Sequence, residues 1–214
     1  MSPVDRSTHL QPPLFPERQH PIVSALEGYD DLELLVAFQQ YPSCGRYFVA
    51  LFCRYGALLH TLVARSATTI VQVDYLFAMS WRHIFYELRG LDPHQLEATG
   101  TRSLRSWLVE MVGVCARCVT LPPPGAIRYD LSTAPPPLWC HLEGALDDLL
   151  PLERVVLLLT QSTGWTLEQV ADRIAADTSE SPSLTTLETS LHSARQRLER
   201  SLPSDLREIY LSLA

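Results

Sequence analysis

The chain has 214 residues, 46% hydrophobic and 19% charged, and carries a formal net charge of −7. That is enough apolar material for one or two small cores, and no apolar run reaches the ~20 residues a membrane-spanning helix needs. A cytoplasmic protein with no membrane partner is expected, and its acidity argues against strong unaided binding to nucleic acid, which requires many phosphates to be neutralised.

Residues 1–30 hold Pro3, Asp5, Arg6, Pro12, Pro13, Pro16 and Pro21 before any helical period begins. This predicts a disordered N-terminal tail, not a signal peptide. Residues 31–120 follow as a first helical domain, with apolar periodicity over Tyr47–Tyr55, again over Asp74–Leu88, and a new helix after the Gly100 break. Every basic residue of the chain is Arg, and over 45–120 eight arginines face five acidic residues. This block alone is net positive.

Within residues 75–107, rings and positive charge interleave: Tyr75, Phe77, Trp81, Arg82, His83, Phe85, Tyr86, Arg89, Arg102, Arg105 and Trp107. Flat side chains beside Arg can hold unstacked bases, at about 1–3 kcal/mol per stacked base. Helical spacing favours a core role for Phe77, Trp81, Ile84, Phe85 and Leu88, with Arg82 and Arg89 outward. Arg102, Arg105 and Trp107, at the start of a new helix, are the stronger DNA ligands.

Residues 121–138 contain Pro122-Pro123-Pro124-Gly125 and Pro135-Pro136-Pro137. Prolines at this density favour extended backbone, so a semi-stiff, helix-free linker between two separately placed bodies is predicted.

Residues 139–214 form the second domain. Pro151 suits a first helical turn, Leu152, Val155, Val156 and Leu159 recur at helical spacing, and Gly164 ends the run. Thr166 and Gln169 make a capping-box pattern ahead of Leu167, Val170, Ala171 and Ile174. After a polar stretch from Asp177 to Ser183, Leu184, Leu187, Leu191, Ala194, Leu198 and Leu202 form one stripe of a long final helix. An ordinary three-helix bundle would show the same periodicities.

In its residues Leu149-Leu150-Pro151-Leu152-Glu153-Arg154-Val155-Val156, Val170-Ala171 and Ser190-Leu191-His192-Ser193-Ala194-Arg195, this segment resembles the promoter-binding domain of bacterial RNA polymerase sigma factors, especially the small extracytoplasmic-function type. Upstream, Tyr47–Tyr55, Asp74-Tyr75-Leu76-Phe77 and Leu104-Arg105-Ser106-Trp107-Leu108 resemble the same family's core-binding and promoter-melting domain. The resemblance implies an all-α fold of two small domains, the C-terminal one a helix-turn-helix, and partnership with RNA polymerase core and promoter DNA. It leaves room for an anti-sigma protein as a further partner, and a monomer suits the role. Polymerase contact would fall to Asp74, Phe77, Ala78, Trp81 and Arg82. DNA contact would fall to Arg102, Arg105, Trp107 and Arg117, and on the recognition helix to Thr185, Thr186, Glu188, Thr189, His192 and Arg195. The chain departs from the family in its longer turn before that helix, in the absence of basic residues from the helix's first turns, and in Phe77-Ala78 where a Gln-Glu pair is usual. A sigma-derived interaction protein without promoter readout, or a plain helical adaptor, are the alternatives.

Cys115 and Cys118 with Cys140-His141 could on paper supply four zinc ligands, but the first pair falls in an apolar helical pattern, whereas structural zinc pairs sit on tight turns. Neither metal nor cofactor is expected. Without a Gly-rich phosphate loop, a paired-carboxylate motif or a partnered histidine, no enzyme is expected either.

Overall fold

The computed structural model describes residues 15–97, 103–162, 164–178 and 182–211, and all regular structure among them is helical. No helix among the described residues is long and apolar enough to cross a membrane.

A 3-10 turn at Pro16–Gln19 leads into α1 (Pro21–Ser24). The helix α2 (Asp31–Gln40) opens on a capping box in which the carboxylates of Asp30 and Glu33 each accept from the other's backbone amide at 2.8 Å, satisfying two amides that a helix start leaves unpaired. Long helices α3 (Arg46–Val63) and α4 (Ile70–Gly90) follow, then a short α5 (Pro93–Glu97) and α6 (Leu104–Cys118), the last capped by Ser103 through the Ser106 amide.

The packing of α3, α4 and α6 makes the main core. Phe48, Phe52, Phe77, Trp81 and Phe85 are fully buried there. Edge-to-face contacts run from Phe48 to Phe85 (4.9 Å between centroids), Phe52 to Trp81 (5.2 Å) and Phe48 to Trp81 (5.7 Å). Such pairs add about 0.5–1.5 kcal/mol each beyond the area they bury. The ring-rich stretch of α4 is therefore core, as its helical spacing favoured.

The disordered tail expected over residues 1–30 is corrected from Phe15 onward; residues 1–14 lie outside the described residues. Phe15 packs edge-on against Phe52 at 4.6 Å and stacks near Phe77 at 6.2 Å. Gly56 makes room for it, since a Cβ there would come within 2.6 Å of the Phe15 ring. Val23 and Leu26 are buried against the same core. Two apolar anchors and a ring outweigh the local cost of the prolines, which sit in first turns where a missing N–H matters least.

The linker expectation is also corrected. The carbonyl of Pro122 accepts a hydrogen bond from Gln72 Nε2 (3.0 Å), Ile127 is buried, and the Tyr129 hydroxyl donates to the Ala134 carbonyl (2.7 Å). Pro136 and Pro137, both buried, open the helix α7 (Pro136–Asp147). Its Cys140 belongs to the main core, while Leu146 packs with the C-terminal helices. Residues 121–138 thus pack on the body, and α7 bridges its two parts.

The helices α8 (Pro151–Ser162), α9 (Leu167–Thr178) and α10 (Leu184–Ser201) form the expected three-helix unit with apolar clusters of its own, centred on Leu149, Leu157 and Ala194 and on Val156, Val170 and Leu187. Gly164 has a φ of 69°, the left-handed conformation that lets the chain leave α8. The Thr166–Gln169 capping box is realised, with bonds of 3.0 and 3.4 Å.

The boundary drawn at residue 139 does not hold at the C-terminus. After Pro203, α11 (Ser204–Leu211) returns to the N-terminal core, burying Leu206 and Ile209 in it. Asp205 caps α3, its carboxylate accepting from the Gly45 amide (3.1 Å) and the Arg46 amide (3.0 Å).

Glu17, Cys53 and Tyr210 meet where the N-terminal segment, α3 and α11 converge. Burial pushes the Cys53 thiol up to about 12 and raises both Glu17 and Tyr210 above their ordinary values. The Glu17 carboxyl faces the buried Tyr210 hydroxyl. A carboxyl raised by folding binds its proton more tightly in the folded state, so stability is present below its ordinary pKa of 4.5 and lost as pH rises through the folded value. Glu17→Gln, which keeps the shape without the charge, should match the wild type in urea unfolding at low pH and exceed it at pH 7. Equal stability at both would contradict this account of Glu17.

Candidate nucleic-acid interface

Two surfaces hold the residues expected to meet DNA. The first is α10. Ser183 caps it, its hydroxyl accepting from the Thr186 amide (3.1 Å) and lying 2.8 Å from the hydroxyls of Thr185 and Thr186. Leu187 and Ala194 face inward, fully buried, with Leu191 and Leu198 half-buried beside them. The opposite side therefore points out, and Thr185, Thr186, Glu188, Thr189, His192 and Arg195 are all exposed.

The chemistry of that face is weakly charged. The Thr189 hydroxyl donates to the Thr185 carbonyl (2.8 Å), and His192 Nε2 sits 2.8 Å from Gln196 Nε2. Glu188 and Arg195 make no hydrogen bond or ion pair with other described residues. A carboxylate can accept from a cytosine amino group and an Arg can meet a phosphate, while Thr and His can pair with several base edges.

Glu153 fixes the position of α10. Its side chain on α8 is buried, accepts from Ser193 Oγ (2.6 Å) and the Leu150 amide (3.2 Å), and pairs with Arg197 Nε (3.3 Å). Sequence reasoning missed this role. The signal was a Glu in the first turn of α8 with Ser193 and Arg197 one turn apart on α10. Arg197 is thereby committed to holding the helix. Burying a carboxylate is tolerable only with such partners.

The second surface is α6. Arg105 and Arg117 are exposed there and ion-pair with none of the described residues. At about 1.5 Å rise per residue they stand roughly 18 Å apart along the helix. Arg102 lies outside the described residues. Trp107 is corrected from DNA ligand to core residue, being only 5% exposed and packed in the main cluster. Its ring cannot stack on a base without leaving that core.

The residues expected to touch polymerase are corrected in the same way. Phe77, Ala78 and Trp81 are completely buried. They lie on the inner side of α4, where the α3 aromatics cover them. Asp74 is half-buried, with His60 Nε2 at 3.4 Å, and Arg82 Nε contacts Glu143 of α7 at 2.6 Å. Only these two present polar atoms near the surface.

The positive charge of residues 45–120 is largely neutralised from outside the block. Arg46 pairs with Asp205 (3.6 Å), Arg54 with Asp31 (2.7 Å) and Arg82 with Glu143. Arg89 lies 4.3 Å over the Phe85 ring. Phosphate attraction is correspondingly reduced.

An apolar groove between α8 and α9, of about 410 Å³, is lined by Leu152, Val155, Leu159, Trp165 and Ile174, with Arg173 and Asp177 paired at its rim (3.2 Å). Val155 and Leu158 are exposed nearby. Among the described residues no cluster of three His, Cys, Asp or Glu side chains is arranged to hold a metal. Cys115 and Cys140 are buried while Cys118 is exposed at the end of α6, and His141 Nδ1 is engaged with the Pro137 carbonyl at 2.8 Å.

Compared with protein-family models, curated proteins and solved structures, the chain matches none.

Two outcomes are expected. Trp107→Ala should cost about 3–5 kcal/mol of unfolding free energy in denaturant titrations, the penalty of emptying a core site; an unchanged midpoint would return Trp107 to the surface. Glu153→Ala, which strands Ser193 and Arg197, should cost about 1–3 kcal/mol and speed amide exchange in α10 before the α3–α4 core. Unchanged protection of α10 would contradict its role.

Proposed function

We propose that this chain is a sigma-type transcription initiation factor that binds RNA polymerase core in the cytoplasm and directs it to promoter DNA. The observation that carries the reading is the outward face of α10, held by Glu153 and capped by Ser183 within a three-helix unit. A recognition helix needs a rigid seat and a free face, because its entry angle into the major groove is set by the helices beneath it.

In this reading α8 and α9 support α10, whose Thr185, Thr186, Glu188, Thr189 and His192 meet base edges while Arg195 meets a phosphate. Arg105 and Arg117 serve the melted strand from α6. Polymerase supplies most of the electrostatic attraction that an acidic chain lacks, and linkage to it raises the local concentration of α10 at the promoter. Arg82 and Asp74 from α4 and the apolar groove of α8 and α9 offer it surfaces. An anti-sigma protein would compete for them.

The pairing of Arg46, Arg54 and Arg82 with internal acids favours a second reading, a sigma-like protein that keeps polymerase contact as an interaction regulator and has lost promoter readout.

Run-off transcription with cognate core polymerase on genomic fragments separates the two. Under the first reading the protein yields new start sites sharing spaced upstream elements. Arg105→Ala lowers their yield roughly tenfold, as expected for losing one charge-assisted contact, and Glu188→Lys strengthens upstream binding. Co-elution with core polymerase without any new start site would reject promoter readout in favour of the second reading.

A further inference from the structure

We propose that α11 is an intramolecular clasp that closes the α8–α10 unit onto the N-terminal module and opens as a separate step. The three-helix unit has apolar clusters of its own, separate from the main core. It is gripped at both ends. α7 anchors its start through Cys140 in the main core, and α11 anchors its end through Leu206 and Ile209.

The grip of α11 depends on one close fit. The N-cap of α3 is Gly45, which has no side chain to cap its own helix, and Asp205 supplies the missing acceptor across the fold. A carboxylate at a helix N-terminus satisfies unpaired amides and meets the positive end of the dipole. Leu206 fills the space left by the absent side chain, and a Cβ on Gly45 would collide with it.

The seat of α11 also buries polar atoms with poor partners. Arg207 Nε is buried without a hydrogen-bond partner among the described residues, Arg46 Nε has only the Asp205 carboxylate at 3.6 Å, and the buried Tyr210 hydroxyl and Glu17 carboxyl have only each other. Of the six buried side-chain polar atoms without a close hydrogen bond among the described residues, Arg207 Nε and Tyr210 Oη are on α11, and Arg46 Nε and Glu17 Oε2 are on the elements it packs against. Polar groups paired this weakly exchange one poor partner for water when α11 leaves, which lowers the cost of opening relative to an apolar core helix. Pro203 breaks the chain between α10 and α11, so the clasp can detach without unwinding α10. Opening would free the α8–α10 unit to pivot on α7 and let α10 and α6 adopt the separation two promoter elements demand. That consequence rests on the initiation-factor reading; the clasp itself does not.

Two substitutions test it from opposite sides in the full chain. Gly45→Ala changes nothing within α3, where Gly45 has an ordinary helical φ of −78°, yet it pushes on Leu206. Asp205→Asn removes the capping charge. Hydrogen exchange should show the amides of α11, Gly45 and Arg46 exchanging about tenfold faster in both variants, with mid-α3 and α4 within about twofold of wild type. Small-angle scattering should show a larger radius of gyration. Acceleration of α11 together with mid-α3 and α4 would mean one cooperative core and overturn the clasp, as would unchanged protection of α11. If the clasp opens but promoter and polymerase binding do not change, the clasp stands and the initiation-factor reading is the one contradicted.

Discussion

The carboxylate of Asp205 on the first amides of α3 ties the last described helix to the first core. It bridges residues 160 apart in sequence, and its neighbour Leu206 is fully buried on Gly45. An N-terminal cap of this kind contributes about 0.5–2 kcal/mol. Here it also decides architecture. Because α11 caps α3, the chain after α10 returns onto the first core, and α7, with Cys140 in that core and Leu146 among the C-terminal helices, is a bridge where the prolines alone pointed to a spacer.

Electrostatics follow from that closure. Acidic side chains from α2, α7 and α11 reach the arginines of α3 and α4, so the one basic block of the sequence presents little free positive charge. The exposed arginines Arg105, Arg117 and Arg195 are dispersed, and the α10 face between its cap and Arg195 is mostly hydroxyls with one carboxylate. Such a surface can discriminate base edges but cannot gather DNA, because readout by hydrogen bonds and attraction by counterion release are separate contributions. On the proposed reading, affinity would come from the polymerase.

The all-α class and the three C-terminal helices were legible because each carries a 3.6-residue apolar period and local punctuation: Gly164 at a left-handed turn, Thr166 with Gln169, and Ser183 before Leu184. The outward face of α10 followed from the same period. What was not legible depended on partners far away in sequence. Phe15 needs the gap at Gly56, and Pro136 and Pro137 are tolerated in a first turn that packs on α4. Asp205 looks like any helix-start acid until its target is known. Rings beside arginines in α4 suggested base stacking, whereas the α3 aromatics claim Phe77 and Trp81 for the core. Composition alone does not separate the two uses; only the partner helix does.

The proposed reading makes DNA recognition by this chain depend on polymerase. The most direct measurement is the affinity for promoter-containing duplex across a salt series, taken for the protein alone and for its complex with core polymerase. The account predicts negligible binding by the free protein at physiological salt with a shallow salt dependence, and sequence-selective binding by the complex beyond that of core alone. Tight, steeply salt-dependent binding by the free protein, or a complex no more selective than core, would contradict it.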